Sequence, residues 1–476
     1  MINQNETPLY DALVNNKTKH PISFHVPGHK YGQVFSERGK EDYSSLLSID
    51  ATEITGLDDL HAPDGVIEKA QKLAAHYFNS DFTYFLINGT TVGNLSMILS
   101  FCVPGDEIIV QRNSHKSVLN GLELAGAKPV FLGPVFEEDT QRHSKITLHS
   151  VQRALKEHPE AKAVFLTYPD YFGRTYALGE IIAEVHAHGL PVCIDEAHGV
   201  HFQLGEPFPS PALKEGADLV VQSAHKMAPA MTMSSFLHVQ GERIDQMRLE
   251  HYLQVLQSSS PSYPLMASLD LARSFLAQWN HLNKQQALTS IQEVRQVFAS
   301  YEEHWSVLPL SPYDDPLKMT LQTKRNSGYE VMRVLEKMDI HPELATSDQI
   351  LLIFGLAPSV EIHELNQRLN KVDSQLKKSN NRATINVDQL SFPEIQILEM
   401  AYSEMQRTPA ERVNWSEADD YVAAEAVIPY PPGIPLLMKG ERITDDHRNR
   451  VFSLIKQGAR FQNVAIEKGI RVFKGE

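Results

Sequence analysis

The sequence predicts an α/β protein with a doubly wound, mostly parallel sheet and a smaller C-terminal α+β domain. Two observations predict this fold class. Short apolar segments alternate with segments of helical periodicity from about residue 64 to residue 239, and the apolar segments are nearly continuous. Continuous apolar runs are typical of parallel strands that are covered on both faces.

The individual elements follow from the same patterns. Apolar residues at helical spacing predict helices at Asp64–Phe78, with Asp64 as the candidate cap, and at Leu178–His188. The predicted strands of the sheet are Phe82–Ile87, Glu107–Val110, Pro129–Leu132, Ala163–Thr167, Pro191–Asp195, Asp218–Gln222 and Phe236–Val239.

The pattern changes toward both ends of the chain. Residues 1–60 are irregular and rich in Pro, Gly and His, and Glu137–Lys145 reads as a polar loop. Beyond about residue 270 the chain becomes more helical, with one convincing strand at Ile350–Phe354. We therefore predict an N-terminal arm over residues 1–60, a large α/β domain over 61–270 and an α+β domain over 271–476.

Composition narrows the class of protein. The 476 residues include 44 basic and 59 acidic side chains, a net charge of −15, which argues against nucleic acid and anionic membranes as partners. No apolar run is long enough for a transmembrane helix, and no secretory signal is visible at the start. The two cysteines, Cys102 and Cys193, lie in apolar surroundings, so we expect buried thiols and a cytoplasmic protein.

Three loops directly follow predicted strands, where open α/β sheets bind their ligands. In the first loop, Gly89, Thr90 and Thr91 precede a helix, and a glycine with two hydroxyls at a helix N-terminus suits a phosphate. The alternative for these residues is a simple helix cap. The glycine-rich fingerprints of P-loop and dinucleotide-binding proteins are absent.

The other two loops supply a carboxylate and a lysine. Asp195 ends one strand, and Ser223-Ala224-His225-Lys226 follows the next. A phosphate cradle, a lysine that forms an imine and a carboxylate for a ring nitrogen are what pyridoxal 5′-phosphate (PLP) requires. His115, which follows another strand, could stack on the ring of this cofactor.

A zinc site is the competing interpretation of the same region. His186, His188, Cys193, His198 and His201 fall within sixteen residues, and zinc uses such ligands. The pair His186 and His188 would point in different directions on a helix, and the sequence has no CxxC or HExxH motif.

Several motifs together resemble one family. SAHK, DEAHG, NGTTVGN and RNSHKS are similar to the fold-type I, PLP-dependent Orn/Lys/Arg decarboxylases. FHVPGHK and IDATEITGLDDLH resemble the N-terminal signatures of the compact bacterial members, and PYPPGIPL resembles their C-terminal signature. The resemblance spans roughly residues 7–445 and implies the aspartate aminotransferase fold (type I).

The resemblance also implies roles for particular residues. Lys226 would carry the cofactor, Asp195 would pair with its ring nitrogen, and His115 and His198 would lie against the ring. Glu425 would bind the distal cation of the substrate, and Tyr171 could contact the same cation. The implied phosphate ligands, together with the glycine of their loop, are Gly89, Thr90, Thr91, Ser223 and His225.

Two positions depart from the pattern of the family. Asp170 stands where the family more often has threonine, and Met233 stands where it commonly has glutamine. Asp170 adds negative charge near the expected pocket and Met233 removes an amide, so both positions bear on the choice of substrate.

The resemblance implies α-decarboxylation of arginine, lysine or ornithine to the amine and CO₂, in polyamine metabolism, by a homodimer or larger homo-oligomer. The alternatives are another fold-type I enzyme, such as an aminotransferase that holds the α-carboxylate through Arg174 or an aldolase, and a non-catalytic PLP-binding protein. No resident metal is expected.

Overall fold

The computed structural model describes residues 2–378, 392–429, 435–463 and 465–474. The helices are α1 (Pro8–Thr18), α2 (Lys40–Leu47), α3 (Val66–Phe78), α4 (Gly89–Phe101), α5 (Lys116–Ala125), α6 (Leu148–Glu157), α7 (Leu178–Ala187), α8 (Ala224–Met227), α9 (Gln246–Leu256), α10 (Tyr263–Gln278), α11 (His281–Ala299), α12 (Gly328–Glu336), α13 (Ile362–Leu376), α14 (Tyr402–Met405) and α15 (Asp445–Gln457). The strands are β1 (Phe82–Leu86), β2 (Glu107–Gln111), β3 (Lys128–Leu132), β4 (Val135–Glu137), β5 (Arg142–Lys145), β6 (Val164–Thr167), β7 (Val192–Asp195), β8 (Leu219–Gln222), β9 (Ser235–Val239), β10 (Trp305–Val307), β11 (Lys318–Thr323), β12 (Leu344–Ala345), β13 (Gln349–Ile353), β14 (Ile395–Ile397), β15 (Ala410–Val413) and β16 (Ile470–Phe473).

The chain divides into two compact units. The first unit comprises Met1–Phe101, Leu178–Glu206 and Ser210–Asn280, and the second comprises Cys102–Ala177, Pro207–Pro209 and His281–Glu476. The domain bounds expected from the sequence, 1–60, 61–270 and 271–476, stay a prediction.

The first unit orders its strands β1-β9-β8-β7. Strands β7 and β8 are parallel, with Asp195 opposite Val221, while β9 is antiparallel to β8 and to β1. Helix α4 packs closely on β8, because a Cβ on Gly93 would lie 2.5 Å from a methyl group of Val221. The carboxyl ends of β7 and β8 and the start of α4 are thereby held together.

The second unit orders the strands of its largest sheet segment β6-β2-β3-β14, with β2 parallel to both of its neighbours and β14 antiparallel to β3. A separate antiparallel sheet has the order β10-β11-β13-β12 and packs on an apolar core around Trp305. Strands β15 and β16 pair near the end of the chain.

The predicted α/β fold class is confirmed: the central sheet segments are mixed, with β2 parallel to β3 and β6 and β7 parallel to β8, and helices separate most of the strands along the chain. The predicted strands of the region from residue 82 to residue 239 are all present, with bounds that differ by one or two residues. Among the described residues, no helix combines the length and the apolar character that a bilayer crossing needs.

Four expectations for local structure are wrong. Residues 1–60 contain the helices α1 and α2, and the predicted polar loop at Glu137–Lys145 belongs to the hairpin of β4 and β5. The region beyond residue 270 holds a four-stranded sheet where only one strand was evident from the sequence. The start of α3 is capped by Asp58 and not by Asp64, since the Asp58 carboxylate accepts the backbone N–H groups of Gly65 and Ile67, both at 2.8 Å.

Candidate active site

Lys226 lies on the short helix α8, directly after β8, in the first unit. Its Nζ atom is 3.2 Å from Nε2 of His198, which is buried after the end of β7. An ammonium at Nζ donates to a neutral imidazole nitrogen at this distance, so His198 is placed to accept a proton from Lys226 and to return it.

Asp195 ends β7 as a buried carboxylate. Its Oδ2 atom accepts a hydrogen bond from Nδ2 of Asn94 at 2.9 Å, and its Oδ1 atom accepts the backbone N–H of Ala197 at 3.2 Å. Asn94 lies on α4 and is 0% exposed. The sequence analysis missed Asn94, although an amide among the apolar residues of a helix was a signal of a buried polar contact.

The predicted phosphate loop is brought together with the lysine loop. The hydroxyl groups of Thr90 and Ser223 are 3.1 Å apart. Gly89 begins α4 with a φ of +72°, and a Cβ there would meet nothing within 4 Å, so the start of this helix opens onto free space. Thr91 lies in the same first turn and is exposed. Two hydroxyls beside a helix N-terminus suit an anion.

The imidazole of His225, another predicted phosphate ligand, is hydrogen-bonded to its own loop. Its Nδ1 atom lies 3.1 Å from the carbonyl oxygen of Ser234, so Nδ1 is the protonated nitrogen of the neutral ring. Burial lowers the pKa of His225 below its usual value, and the charge of Lys226 lowers it further. A neutral His225 therefore donates its only N–H to the carbonyl oxygen of Ser234. A contact between His225 and a phosphate stays a prediction.

Met233 fixes the backbone of this loop by its main chain. Its carbonyl oxygen accepts the N–H of Gly89 at 2.8 Å, and its φ of +79° is uncommon for a residue with a side chain. The side chain is 45% exposed. Position 233, which commonly holds glutamine in the resembled family, therefore carries an exposed methionine side chain. Its backbone is held by the hydrogen bond to Gly89.

His115 belongs to the second unit, where it caps the N-terminus of α5. Its Nδ1 atom accepts from the backbone N–H of Ser117 at 3.3 Å and lies 2.8 Å from the hydroxyl of Ser117. Because Nδ1 acts as the acceptor, the neutral ring carries its proton on Nε2. The cap therefore fixes both the tautomer and the orientation of this ring.

Tyr171, Asp170 and Arg174 lie on one turn of the second unit. The hydroxyl of Tyr171 donates to Glu343 at 2.7 Å, and the carboxylate of Asp170 accepts the N–H of Arg174 at 2.8 Å. Burial raises the pKa of Asp170, and the charge of Arg142 opposes this rise. The carboxyl group of Asp170 is thus buried within the second unit, where the charge of Arg142 favours its ionised form.

Arg174 is already paired. Its guanidinium contacts Glu137 at 3.2 Å, Asp139 at 2.7 Å and Asp314 at 2.9 Å. Three carboxylates already neutralise this guanidinium, so it is not available for the α-carboxylate of an amino acid. The aminotransferase alternative required Arg174 for that contact.

Glu425 lies in the second unit, between β15 and β16 in sequence. Its carboxylate accepts the backbone N–H of Arg471 at 2.8 Å and the amide of Asn463 at 3.3 Å, and it faces Arg412 at 3.5 Å. Most of the PYPPGIPL motif that follows it, residues 430–434, lies outside the described residues.

The residues of the zinc alternative have other partners. His186 contacts Asp218 at 2.7 Å and His188 lies 3.7 Å from Glu184. Within the described part of the chain, one group of His, Cys, Asp or Glu side chains has ligand atoms close enough together for a metal, Glu303, His304 and Asp373, and it lies in the second unit.

A buried polar chain lies behind the end of β7. Glu196 accepts from Gln222 at 2.5 Å and from the N–H of Ala212 at 2.8 Å, while Gln222 contacts His238 at 3.0 Å. Burial raises the pKa of Glu196 to about 8 and lowers the pKa of His238 to about 3. At neutral pH, Glu196 is therefore protonated and His238 is neutral.

We expect the substitution Glu196→Gln to flatten the pH dependence of stability. Between pH 6.5 and 8, folded Glu196 holds a proton that the unfolded chain has released, so its contribution to stability falls as the pH rises toward about 8. The loss over that window is about 2 kcal/mol. Thermal unfolding of both proteins at pH 6.5 and pH 8, at one cofactor concentration, measures it as a difference, since the titration of His238 on unfolding contributes equally to both proteins.

The matched control is Glu242→Gln, which changes an exposed carboxylate of the same unit. This control should retain the slope of the wild-type protein. A Glu196→Gln variant with the wild-type slope would show that Glu196 is ionised in the folded protein at neutral pH.

The residues of the first unit fit PLP. In the described part of the chain, the buried Asp195 carboxylate has two hydrogen-bond donors, Asn94 and the N–H of Ala197, and no cationic side chain. A buried carboxylate without a cation is costly, and the protonated ring nitrogen of the cofactor would supply one. Lys226 and the pair Thr90 and Ser223 provide the amine and the hydroxyls that the aldehyde and the phosphate require.

Comparisons with known proteins cover nearly the whole chain. The family model described as the major domain of Orn/Lys/Arg decarboxylase matches residues 7–314, and that of the C-terminal domain matches residues 385–464. The uncharacterized protein YaaO of Bacillus subtilis is 44% identical over 98% of both chains. An arginine decarboxylase of the same organism is 34% identical over 96% of this chain and 95% of its own length.

Solved structures agree on the fold. The constitutive lysine decarboxylase of E. coli superposes with a TM-score of 0.80 at 18% sequence identity, over 99% of this chain and 82% of that protein. At this identity the likeness concerns the fold.

Proposed function

The chain belongs to the Orn/Lys/Arg decarboxylase family, and from this premise we propose that it removes the α-carboxylate of arginine as CO₂, with PLP as its cofactor. That the protein is a decarboxylase follows from the family; the substrate and the residue roles are our proposal. The observation that carries it is the cluster of Lys226, His198 and Asp195 at the carboxyl ends of β7 and β8.

The relatives support arginine as the first substrate to test. Four arginine decarboxylases from Bacillus and Halalkalibacterium are 33–34% identical over more than nine tenths of this chain, whereas a lysine decarboxylase of Pseudomonas aeruginosa is 25% identical. The product amine would belong to polyamine metabolism.

Each residue of the cluster has a defined task in the proposed reaction. When bound, PLP supplies the electron sink for the bond that breaks. Lys226 would hold the cofactor covalently and then give way to the amino group of the substrate. His198, at 3.2 Å from Nζ, would exchange protons with it, and Asp195 would pair with the ring nitrogen.

Two further groups would position the ring and the phosphate. Thr90 and Ser223 would donate their hydroxyls to the phosphate at the N-terminus of α4, together with Thr91 of the same turn. His115 would stack on the ring with a fixed tautomer, since its Nδ1 atom is occupied by the helix cap. We also propose a homodimer or larger homo-oligomer, as the family resemblance implies.

The proposal is tested by assaying CO₂ release from arginine, lysine and ornithine in parallel with the PLP-loaded protein. CO₂ and the corresponding amine from arginine would support it. Turnover of lysine or ornithine alone would support the proposed reaction and contradict arginine as the substrate. Such a change is small in energy, because related head groups differ by only a few kcal/mol in binding free energy. A keto acid as product would contradict the proposed reaction.

We propose that Glu425 binds the distal cation of the substrate, with Tyr171 as a second contact. The substitution Glu425→Gln keeps an oxygen for the N–H of Arg471 and removes the charge. Because hydrogen bonds to charged groups contribute about 1.5–3 kcal/mol, we expect KM for arginine to rise ~10–100-fold with the cofactor still bound.

Steady-state kinetics and cofactor absorbance measure these two properties. The control is Glu411→Gln on β15, an exposed carboxylate of the same sheet, which should leave KM unchanged. An unchanged KM in Glu425→Gln would remove Glu425 from the substrate site.

A further inference from the structure

A buried ion pair in the second unit joins two segments that lie 329 residues apart in sequence. Arg112 is 1% exposed and Glu441 is 7% exposed. Nη2 of Arg112 lies 2.9 Å from one carboxylate oxygen of Glu441 and 3.1 Å from the other. One nitrogen thus bridges both oxygens.

Arg112 and Glu441 have several further hydrogen-bond partners, and His447 lies 3.7 Å from Glu441. Arg112 donates from Nε to Gln396 at 3.2 Å and from its other nitrogens to the carbonyl oxygens of Pro435 and Leu436 at 3.3 and 3.4 Å. Glu441 accepts from Gln396 at 2.7 Å and from the N–H of Met438 at 2.8 Å. Such saturation gives the pair a single geometry.

The pair acts at the base of the loop that carries His115. Arg112 follows β2 directly, and its backbone N–H donates to Leu132 on β3 at 2.9 Å. The hydroxyl of Ser114 donates to the carbonyl oxygen of Gln111 at 2.8 Å, and His115 then caps α5. From Arg112 to His115 the chain therefore has little freedom to move independently of the guanidinium.

The same guanidinium holds the last two residues of the proline-rich motif. Pro435 and Leu436, whose carbonyl oxygens it contacts, are the first described residues after residue 434. Two motifs that the sequence analysis singled out separately, RNSHKS and PYPPGIPL, are thus connected through one side chain.

Stability alone does not account for an ion pair at this place. Removing two charges from water is costly, and apolar residues of similar volume often stabilise a fold as well or better. A saturated pair specifies one arrangement of the segments that it joins.

We propose that Arg112 and Glu441 are positioning residues for the decarboxylation reaction: the pair holds the His115 loop and the chain at residues 435–436 in one register. This inference rests on the proposed function, because it assumes that His115 contacts the cofactor ring. In this role the pair would act through the segments that it joins.

The decisive variant replaces both charges by apolar residues, Arg112→Met together with Glu441→Leu. We expect it to fold with a lower Tm, because no charge is left unpaired but Gln396, the carbonyl groups of Pro435 and Leu436 and the N–H of Met438 lose their partners. We also expect a changed visible circular dichroism of the bound cofactor and a ~10–100-fold loss of kcat/KM for the substrate, because reacting groups tolerate little displacement. The single variant Glu441→Gln should show the same spectral change with a lower Tm.

The control variant is Asp373→Asn, which removes the charge from the 2.8 Å contact between Asp373 on α13 and the buried His304, which precedes β10 in the same unit. It should lower Tm and leave the cofactor spectrum and kcat/KM unchanged. If the double apolar variant fails to fold, Arg112→Lys, which keeps the charge and loses the donors to Gln396 and to the carbonyl of Pro435, provides the same comparison.

The outcomes separate this inference from the proposed function. A wild-type protein that releases CO₂, with variants that keep its cofactor spectrum and kcat/KM, would overturn the positioning role alone. A wild-type protein that releases no CO₂ from any basic amino acid would overturn both. A spectral change in the Arg112 and Glu441 variants, absent from Asp373→Asn, would support the inference.

Discussion

Replacing Lys226 by alanine should abolish the visible absorbance of the lysine–cofactor linkage and lower kcat by ~10²–10⁴-fold or more. Lys226 is the lysine of the site at the carboxyl end of β8, and its Nζ atom is 3.2 Å from His198. The variant loses both the covalent anchor and the group with which His198 exchanges a proton. Absorbance spectra and CO₂ release measure the two effects separately.

The variant Lys226→Arg distinguishes chemistry from charge. It keeps a cation beside His198 and cannot form the linkage, so we expect it to be as inactive as the alanine variant. The exposed Lys214 of the same unit provides a control, since Lys214→Ala should keep both absorbance and turnover. Turnover at the wild-type rate in Lys226→Ala would contradict the entire assignment of the site.

Asp195→Asn is expected to give the second largest loss, ~10²-fold or more in kcat, because a charge that is preorganised at the reacting system is replaced by a neutral amide. An asparagine keeps one oxygen for the N–H of Ala197, and its NH2 group can donate to Asn94 if the amide of Asn94 turns to present its oxygen, so the fold should be retained. Cofactor affinity, measured by titration of the absorbance, should fall as well.

The first unit offers a matched control for Asp195 in Asp218. Both carboxylates are buried, but Asp218 precedes β8 at the opposite edge of the parallel pair, where it contacts His186, Arg243 and the N–H of Val192. We expect Asp218→Asn to lower Tm while the rate per bound cofactor stays unchanged. An equal loss of rate in both variants would indicate that Asp195 acts only through stability.

Much of the α/β architecture could be predicted from the sequence because its strands are buried on both faces. Val164–Thr167 and Leu219–Gln222 read as apolar runs that need no knowledge of distant residues. The hairpin of β4 and β5 escaped prediction for the opposite reason. Its polar residues Glu137 and Ser144 are buried by tertiary contacts, and Glu137 is paired with Arg174.

Some residues of the candidate site could likewise be predicted from the sequence, and others could not. Gly89, Asp195 and Lys226 could be found because each lies at the end of a strand or within four residues after it, and parallel strands end at one edge. The partners that orient these groups were not visible. Asn94 looks like one residue of an apolar helix, and no local pattern connects Arg112 with Glu441 across 329 positions.

The loop at Met233 has a consequence for how this protein can diverge. Its conformation is maintained by main-chain atoms, with the carbonyl of Met233 bonded to Gly89 and the hydroxyl of Ser234 bonded to Leu265. The exposed side chain at position 233 contributes to neither bond. Unbranched side chains can therefore replace one another at position 233 with little effect on folding, whereas its positive φ disfavours β-branched residues.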